Sequence, residues 1–253
     1  NRPCHWRHGA NAWFFLGAVL IVTSFFCYAL LRDNPREMNT TMYGEDEVET
    51  RYFNVDNTLA TWIILIKEIE LWKLGLVYFM YGISYIVFLT FFVAYLTGEM
   101  GITFKKAGEI FAILGLCSII SGIIWGWISD IFGRKMGLFL ASLVLAFSYL
   151  LSICWKDIIG IYLSAIIFGI TISSIPTIMA ASAGDVTGGR LAPAALGFIT
   201  LSFGIGQCIG PGIAGWLKDV TGSFVWGFGF SSIASCSGGL CSLFFKGRPG
   251  QSG

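Results

Sequence analysis

Apolar positions along the chain fall into long unbroken runs, not into the alternating stripes of a half-buried strand or helix. The runs occupy about 13–31, 74–97, 107–128, 136–155, 158–181, 193–217 and 224–245. Each holds about 19–25 residues, enough at 1.5 Å per residue to cross about 30 Å of hydrocarbon. Inside hydrocarbon a segment must satisfy its own backbone amides, so runs of this length predict helices. The expected fold is an all-α integral membrane protein with about seven transmembrane helices. Short connections between the second and seventh runs force neighbouring helices to be antiparallel.

Residues 32–73 interrupt the pattern. The segment is polar and acidic around Gly44-Glu45-Asp46-Glu47-Val48-Glu49 and amphipathic from Trp62 to Lys73. The first part reads as a linker. The second reads as a helix lying on the membrane surface or leading into the second span, and its β-branched content leaves a strand open.

Composition sharpens this picture. The 253 residues are 55% hydrophobic and 12% charged, against about 25% charged in a soluble domain. A net charge of +1 offers no basic surface of the kind a nucleic acid needs. Seven cysteines at 4, 27, 117, 154, 208, 236 and 241 form no CxxC pair, and most sit in apolar runs as small hydrophobes. Ten Lys and Arg fall on one side of the predicted spans and six on the other. The positive-inside bias puts the richer side, with the carboxy terminus, in the cytoplasm. The sequon at Asn39-Thr40-Thr41 would then be cytoplasmic and carry no glycan. The opening Asn1-Arg2-Pro3 carries no initiator Met and no signal pattern, so the chain is expected to be a piece of a longer protein.

Two motifs carry most of the remaining information. The first is Gly126-Trp127-Ile128-Ser129-Asp130-Ile131-Phe132-Gly133-Arg134-Lys135, between the third and fourth spans on the cytoplasmic side. Gly126 would admit a neighbouring helix. Asp130 would end a span and pair with a cation or a helix dipole. Gly133 would permit a tight turn, and Arg134 and Lys135 would hold the loop in the cytoplasm. A contact made in one state and broken in another would bias a conformational equilibrium. The second motif, Gly206-Gln207-Cys208-Ile209-Gly210-Pro211-Gly212-Ile213-Ala214-Gly215, lies in the sixth span. Gly206 and Gly210 make a small-residue face, Pro211 frees a carbonyl, and Gly215 extends the pattern as a packing or gating element.

The first motif fits G-x-x-x-D-x-x-G-R-[RK] and resembles the cytoplasmic loop signature of the major facilitator superfamily. The second resembles that family's G-x-x-x-G-P-x-x-G-G helix motif and departs from it at Ala214. Trp6-Arg7 with Leu31-Arg32-Asp33-Asn34-Pro35 resembles the sixth helix of such transporters. Tyr81-Gly82-Ile83-Ser84-Tyr85 with Thr90-Phe91-Phe92-Val93-Ala94-Tyr95-Leu96 is similar to the seventh helix of an uncharacterised bacterial branch. The resemblance implies the carboxy-terminal half of a transporter, about helices six to twelve. Residues 1–31 would be the last helix of the amino-terminal half, 32–73 a cytoplasmic linker, 74–246 a six-helix bundle and 247–253 a cytoplasmic tail. A multi-pass protein of the bacterial inner membrane would follow, with lipid, a small solute and a missing amino-terminal half as partners.

The resemblance further implies a solute cavity lined by four of the six carboxy-terminal helices. Polar or aromatic candidates in those spans are Tyr81, Tyr85, Thr90, Ser118, Ser121, Thr171, Ser173, Ser174, Thr177, Ser202 and Gln207. Ser and Thr in membrane helices commonly bond back to their own carbonyls instead. No ionisable residue lies mid-span. Glu109 and Asp185 sit near span ends, so a proton-coupling group is expected in the missing half, with a uniporter as the alternative. Gly204-Ile205-Gly206 lacks a dinucleotide fingerprint, and His5 and His8 lack further metal ligands, so no cofactor or metal is expected. No set of nucleophile, base or paired carboxylates suggests an enzyme. The expected function is secondary transport by alternating access. The alternative is a non-transporting membrane scaffold or receptor, or a truncated half-transporter.

Overall fold

A computed structural model describes residues 5–30, 58–189 and 191–246. The part of the expected 32–73 linker that runs from 32 to 57, with its Asn39 sequon, the tail at 247–253, Arg190 and the side chains of His5 and His8 lie outside the described residues. The chain divides into two units, Asn1–Asn54 and Val55–Gly253. The first contains α1 (His5–Leu30). The second contains α2 (Thr58–Lys67), α3 (Ile69–Gly98), α4 (Phe104–Phe132), α5 (Arg134–Cys154), α6 (Ile158–Ile172), α7 (Ser174–Thr187), α8 (Ala192–Thr221) and α9 (Val225–Ser242).

Six stretches among the described residues are long and apolar enough to cross a membrane: Trp13–Leu30, Ile69–Gly98, Phe104–Phe132, Arg134–Cys154, Ile158–Thr187 and Ala192–Thr221. The expected seventh, at 224–245, is the helix α9, but Ser and Gly dilute its apolar character. The reason lies in its packing. Ser232 Oγ donates to the Ala146 carbonyl at 3.2 Å and Ser235 Oγ to the Ser142 carbonyl at 2.9 Å. A methyl group added at Gly238 would meet Met80 Cβ at 3.1 Å, and one at Gly239 would meet Ser142 Cβ at 3.0 Å. Small residues let α9 press against α3 and α5, and its hydroxyls bond to the neighbour's backbone.

The amphipathic segment is helical and divided, so neither a strand nor one surface helix to Lys73 forms. Residues 62–67 belong to α2, and α3 begins at Ile69, with Glu68 extended between them. Trp72 Nε1 donates to the Ile66 carbonyl at 2.8 Å and holds the corner, while Leu65 is fully buried beneath it. At both ends of α3 a carboxylate takes a backbone N–H from the flanks of α9. Glu70 accepts from Lys246 at 2.9 Å, and Glu99 accepts from Phe224 at 2.5 Å.

Inside the second unit α3 packs on α8 and α9, α5 on α9 and α6, and α4 on α6. The centre is aromatic. Phe88 lies with ring centroids 4.5 Å from Phe92, 4.6 Å from Phe168, 5.1 Å from Phe228 and 5.2 Å from Tyr149. Large apolar side chains also cover the outside, among them Ile119, Ile123 and Trp127 on α4 and Leu201, Trp216 and Val220 on α8. A water-soluble surface rarely carries contiguous apolar area on this scale.

The glycine motifs sort themselves by geometry. A Cβ at Gly206 would collide with the Phe79 carbonyl oxygen, and one at Gly210 would sit 2.8 Å from the Ile83 carbonyl oxygen. These two glycines set the α3–α8 crossing. Gly215 has nothing within 4 Å of a built Cβ, so it does not share their packing role. At Gly126 the nearest atom is Thr177 Cγ2 at an ordinary 3.7 Å, and the close approach falls one turn earlier, at Gly122, 3.1 Å from Thr177 Oγ1. Gly133, at φ 84°, makes the turn between α4 and α5 as expected. Gly206→Leu is therefore expected to destabilise the bundle by about 1–3 kcal/mol through overpacking, whereas Gly215→Ala is tolerated. Thermal unfolding of both variants in detergent checks the contrast, and equal losses would remove the crossing role of Gly206.

Candidate functional site

Three constellations hold the residues singled out by sequence. At one end of the bundle Arg134 opens α5 directly after the Gly133 turn. Its Nη1 lies 2.5 Å from Asp130 Oδ1 and 3.1 Å from Ser129 Oγ. Its Nε lies 3.0 Å from Asp185 Oδ2. One guanidinium thus ties the end of α4 to the end of α7. Lys135 is exposed and takes no part in an ion pair among the described residues. The two carboxylates are 63% and 45% exposed, so each pair contributes about 0–1 kcal/mol. Such contacts form and break at little cost. Asp185 was visible in the sequence as an ionisable residue at a span end, but its partner was not, because the two are brought together only by the packing of α7.

The second constellation is an aromatic layer between α3 and α8. Tyr78, Tyr81 and Tyr85 succeed each other along α3, with ring centroids 6.0 Å and 4.9 Å apart and planes within 13° of parallel. Phe203 of α8 stacks on Tyr78 at 4.4 Å and lies 5.6–5.7 Å from the other two rings. At the half-buried end of the layer Gln207 Nε2 donates to the Tyr85 hydroxyl. Sequence had pointed to Tyr81, Tyr85 and Gln207. It had missed Tyr78, whose three-residue offset from Tyr81 carried the signal, and Phe203, which carried none.

The remaining hydroxyls gather elsewhere. The span of α6 and α7 is broken at Ser173, whose φ of −88° and ψ of 1° leave the helical region. Four consecutive carbonyls at the break each receive a side-chain donor. Trp125 Nε1 bonds to Ile170 at 3.0 Å and Ser174 Oγ to Thr171 at 2.5 Å. The Tyr81 hydroxyl bonds to Ile172 and Thr177 Oγ1 to Ser173 at 2.7 Å. Ser121, fully buried on α4, accepts the Ser173 N–H at 3.0 Å. Thr171 bonds back to Ile167 at 2.8 Å, and Ser118 to Gly115 at 2.6 Å. The protons of Ser118, Thr171, Ser174 and Thr177 are committed to backbone, leaving only lone pairs for a ligand. Thr90 is exposed on α3, outside both groups, and Ser202 lies on α8 beside Gly75. The fully buried Tyr149 hydroxyl has no hydrogen-bond partner among the described residues.

Helices of this length, a Gly-Asp-Gly-Arg turn tied by ion pairs, and a glycine-mediated α3–α8 crossing agree with what sequence comparison finds. The model of the Major Facilitator Superfamily matches residues 74–253. The chain belongs to that superfamily, and it is a multi-pass membrane protein. Its relatives include a class H tetracycline resistance protein of Pasteurella multocida, 31% identical over 138 residues that make up 54% of this chain and 34% of that protein. Multidrug resistance protein 1 of Bacillus subtilis is 34% identical over 122 residues, 48% of this chain and 31% of that protein. Monocarboxylate transporter 12 of Xenopus laevis is 28% identical over 146 residues, 53% of this chain and 31% of its own. The matched region thus spans about a third of the length of each of these relatives.

The Tyr85–Gln207 pair makes a local prediction. Gln207→Leu strands the Tyr85 hydroxyl and is expected to cost about 1–3 kcal/mol. Adding Tyr85→Phe removes the stranded group, so the double variant recovers part of that loss. Unfolding midpoints of the four proteins in detergent give the coupling, and strict additivity would show that the two side chains do not interact.

Proposed function

We propose that the chain is the carboxy-terminal half of a secondary transporter that moves a small solute by alternating access. The observation that carries this reading is the Arg134 cluster at the family's signature turn, where Asp130 and Asp185 share one guanidinium at 2.5 Å and 3.0 Å. Two exposed carboxylates joined through one part-buried guanidinium form a contact of low intrinsic strength, suited to stabilise one conformation and release another. The residues 74–246 form the six-helix bundle of the half, and the carboxy terminus lies in the cytoplasm. An amino-terminal half of similar build covers the faces of α4 and α8, the least enclosed of the long helices of the bundle, with 22% and 17% of their apolar windows buried.

The solute surface in this half is the Tyr85–Gln207 end of the aromatic layer. It offers a stacking face, an amide oxygen and a hydroxyl, and no charge. An aromatic or amide-bearing solute fits this chemistry, and a coupling ion would be handled by groups in the other half. Two of the relatives are named for resistance to tetracycline or to multiple drugs and one for monocarboxylates, so these chemistries head the list of solutes to screen.

Asp130→Asn in the complete protein is expected to lower uptake or efflux by up to about fivefold at equal membrane abundance, a bias of up to about 1 kcal/mol on the conformational equilibrium. Radiolabelled tetracycline and a monocarboxylate, assayed in cells expressing the wild type and the variant, provide the measurement. Transport unchanged by the substitution would remove the latch role. Absence of any transport by the wild type across a broad solute screen would overturn the transport reading.

A further inference from the structure

The break between α6 and α7 has a cause in the chain and a compensation from outside it. In a continuous helix the Ile172 carbonyl would accept the backbone N–H four residues on, and that residue is Pro176, which has none. The orphaned carbonyl takes the Tyr81 hydroxyl from α3 instead. Tyr81 is 3% exposed, so water does not reach the carbonyl in its place. Around it Trp125 and Ser121 of α4 hold the Ile170 carbonyl and the Ser173 N–H, both at 3.0 Å. The four carbonyls from Ile170 to Ser173 and the Ser173 N–H are therefore all met, and two of the three helices that meet them are not part of the broken span. A hydroxyl on a tyrosine can follow a moving carbonyl or release it, which a backbone N–H within the same helix cannot do.

Twelve residues separate Ser173 from Asp185, about 18 Å of helix at 1.5 Å per residue. The α7 segment is thus a short lever with the break at one end and the Arg134 ion pair at the other. We propose that the Tyr81 hydroxyl and Pro176 form a joint at which α7 pivots on α6, carrying Asp185 toward and away from Arg134 while α6 stays packed. Tyr81 is a positioning residue in this joint, standing in for the N–H that Pro176 lacks. The purpose of the motion rests on the transport reading, whereas the joint itself rests only on the contacts at the break.

Amide hydrogen exchange read by mass spectrometry on the full-length protein in detergent, without any solute, tests the joint. Tyr81→Phe is expected to speed exchange of the amides between 173 and 177 about tenfold while leaving α5 unchanged. Pro176→Ala restores a backbone donor to Ile172 and is expected to slow exchange there below the wild-type rate. The double variant should match Pro176→Ala, because the restored N–H makes the hydroxyl redundant. An unchanged rate in Tyr81→Phe, or an acceleration of the same size in the Pro176→Ala background, would overturn the proposal. Should Tyr81→Phe alone fail to fold, the comparison of Pro176→Ala with the double variant decides it. If the exchange pattern holds while Asp130→Asn leaves transport intact, the joint stands and the latch falls; the reverse pattern removes the joint and leaves the latch.

Discussion

A carbonyl buried in a membrane protein has no water to fall back on, and Pro176 withdraws the donor that the Ile172 carbonyl would otherwise use. Much of the interior is arranged around this deficit. Tyr81 must reach across from α3 to supply the missing donor, which fixes the rotation of α3. That rotation brings Tyr78 and Tyr85 into line with Tyr81 and presents all three to Phe203 and Gln207 of α8. The crossing that allows it depends on Gly206 and Gly210, which leave room for the α3 backbone. Trp125 and Ser121 bring α4 into the same arrangement. The one absent N–H is therefore answered by Tyr81 of α3, with α4 meeting neighbouring groups at the break, and the aromatic layer follows from the answer.

Charge is kept to the ends of the bundle. Glu70 and Glu99 hold backbone N–H groups flanking α9, and Arg134 gathers Asp130 and Asp185. The first two contacts tie the two ends of α3 to the two flanks of α9. The third joins the turn after α4 to the far end of a helix that is broken at its base, and so lies where a small rotation has the largest effect. Exposed pairs of this kind add little to stability and are better suited to choosing between states.

The helices were legible in the sequence because hydrophobic run length answers directly to bilayer thickness. Their limits were less so. The start of α3 at Ile69 is set by the buried Leu65 and the Trp72 bond, neither of which a hydropathy run records. The weak apolar signal of α9 has the opposite cause, since its serines and glycines are spent on close contact with α5. The turn motif gave its own geometry correctly at Gly133, but the close approach belongs to Gly122 and not to Gly126, because helix crossing points depend on the partner's position. Among the hydroxyls, spacing along the chain could not separate those bonded to backbone at the break, such as Ser174 and Thr177, from those on the aromatic layer. That distinction requires knowing that Ile172 lies opposite Tyr81, ninety-one residues away.

Whether the Arg134 cluster opens and closes is the point on which the functional reading turns. Spin labels at Lys135→Cys and Gly189→Cys, in the complete protein with its native cysteines replaced and embedded in lipid nanodiscs, report the separation of the α5 and α7 ends by double electron–electron resonance. The alternating-access reading predicts two distance populations, with Asp130→Asn shifting weight to the longer one. A single distance, unmoved by that substitution, would contradict it.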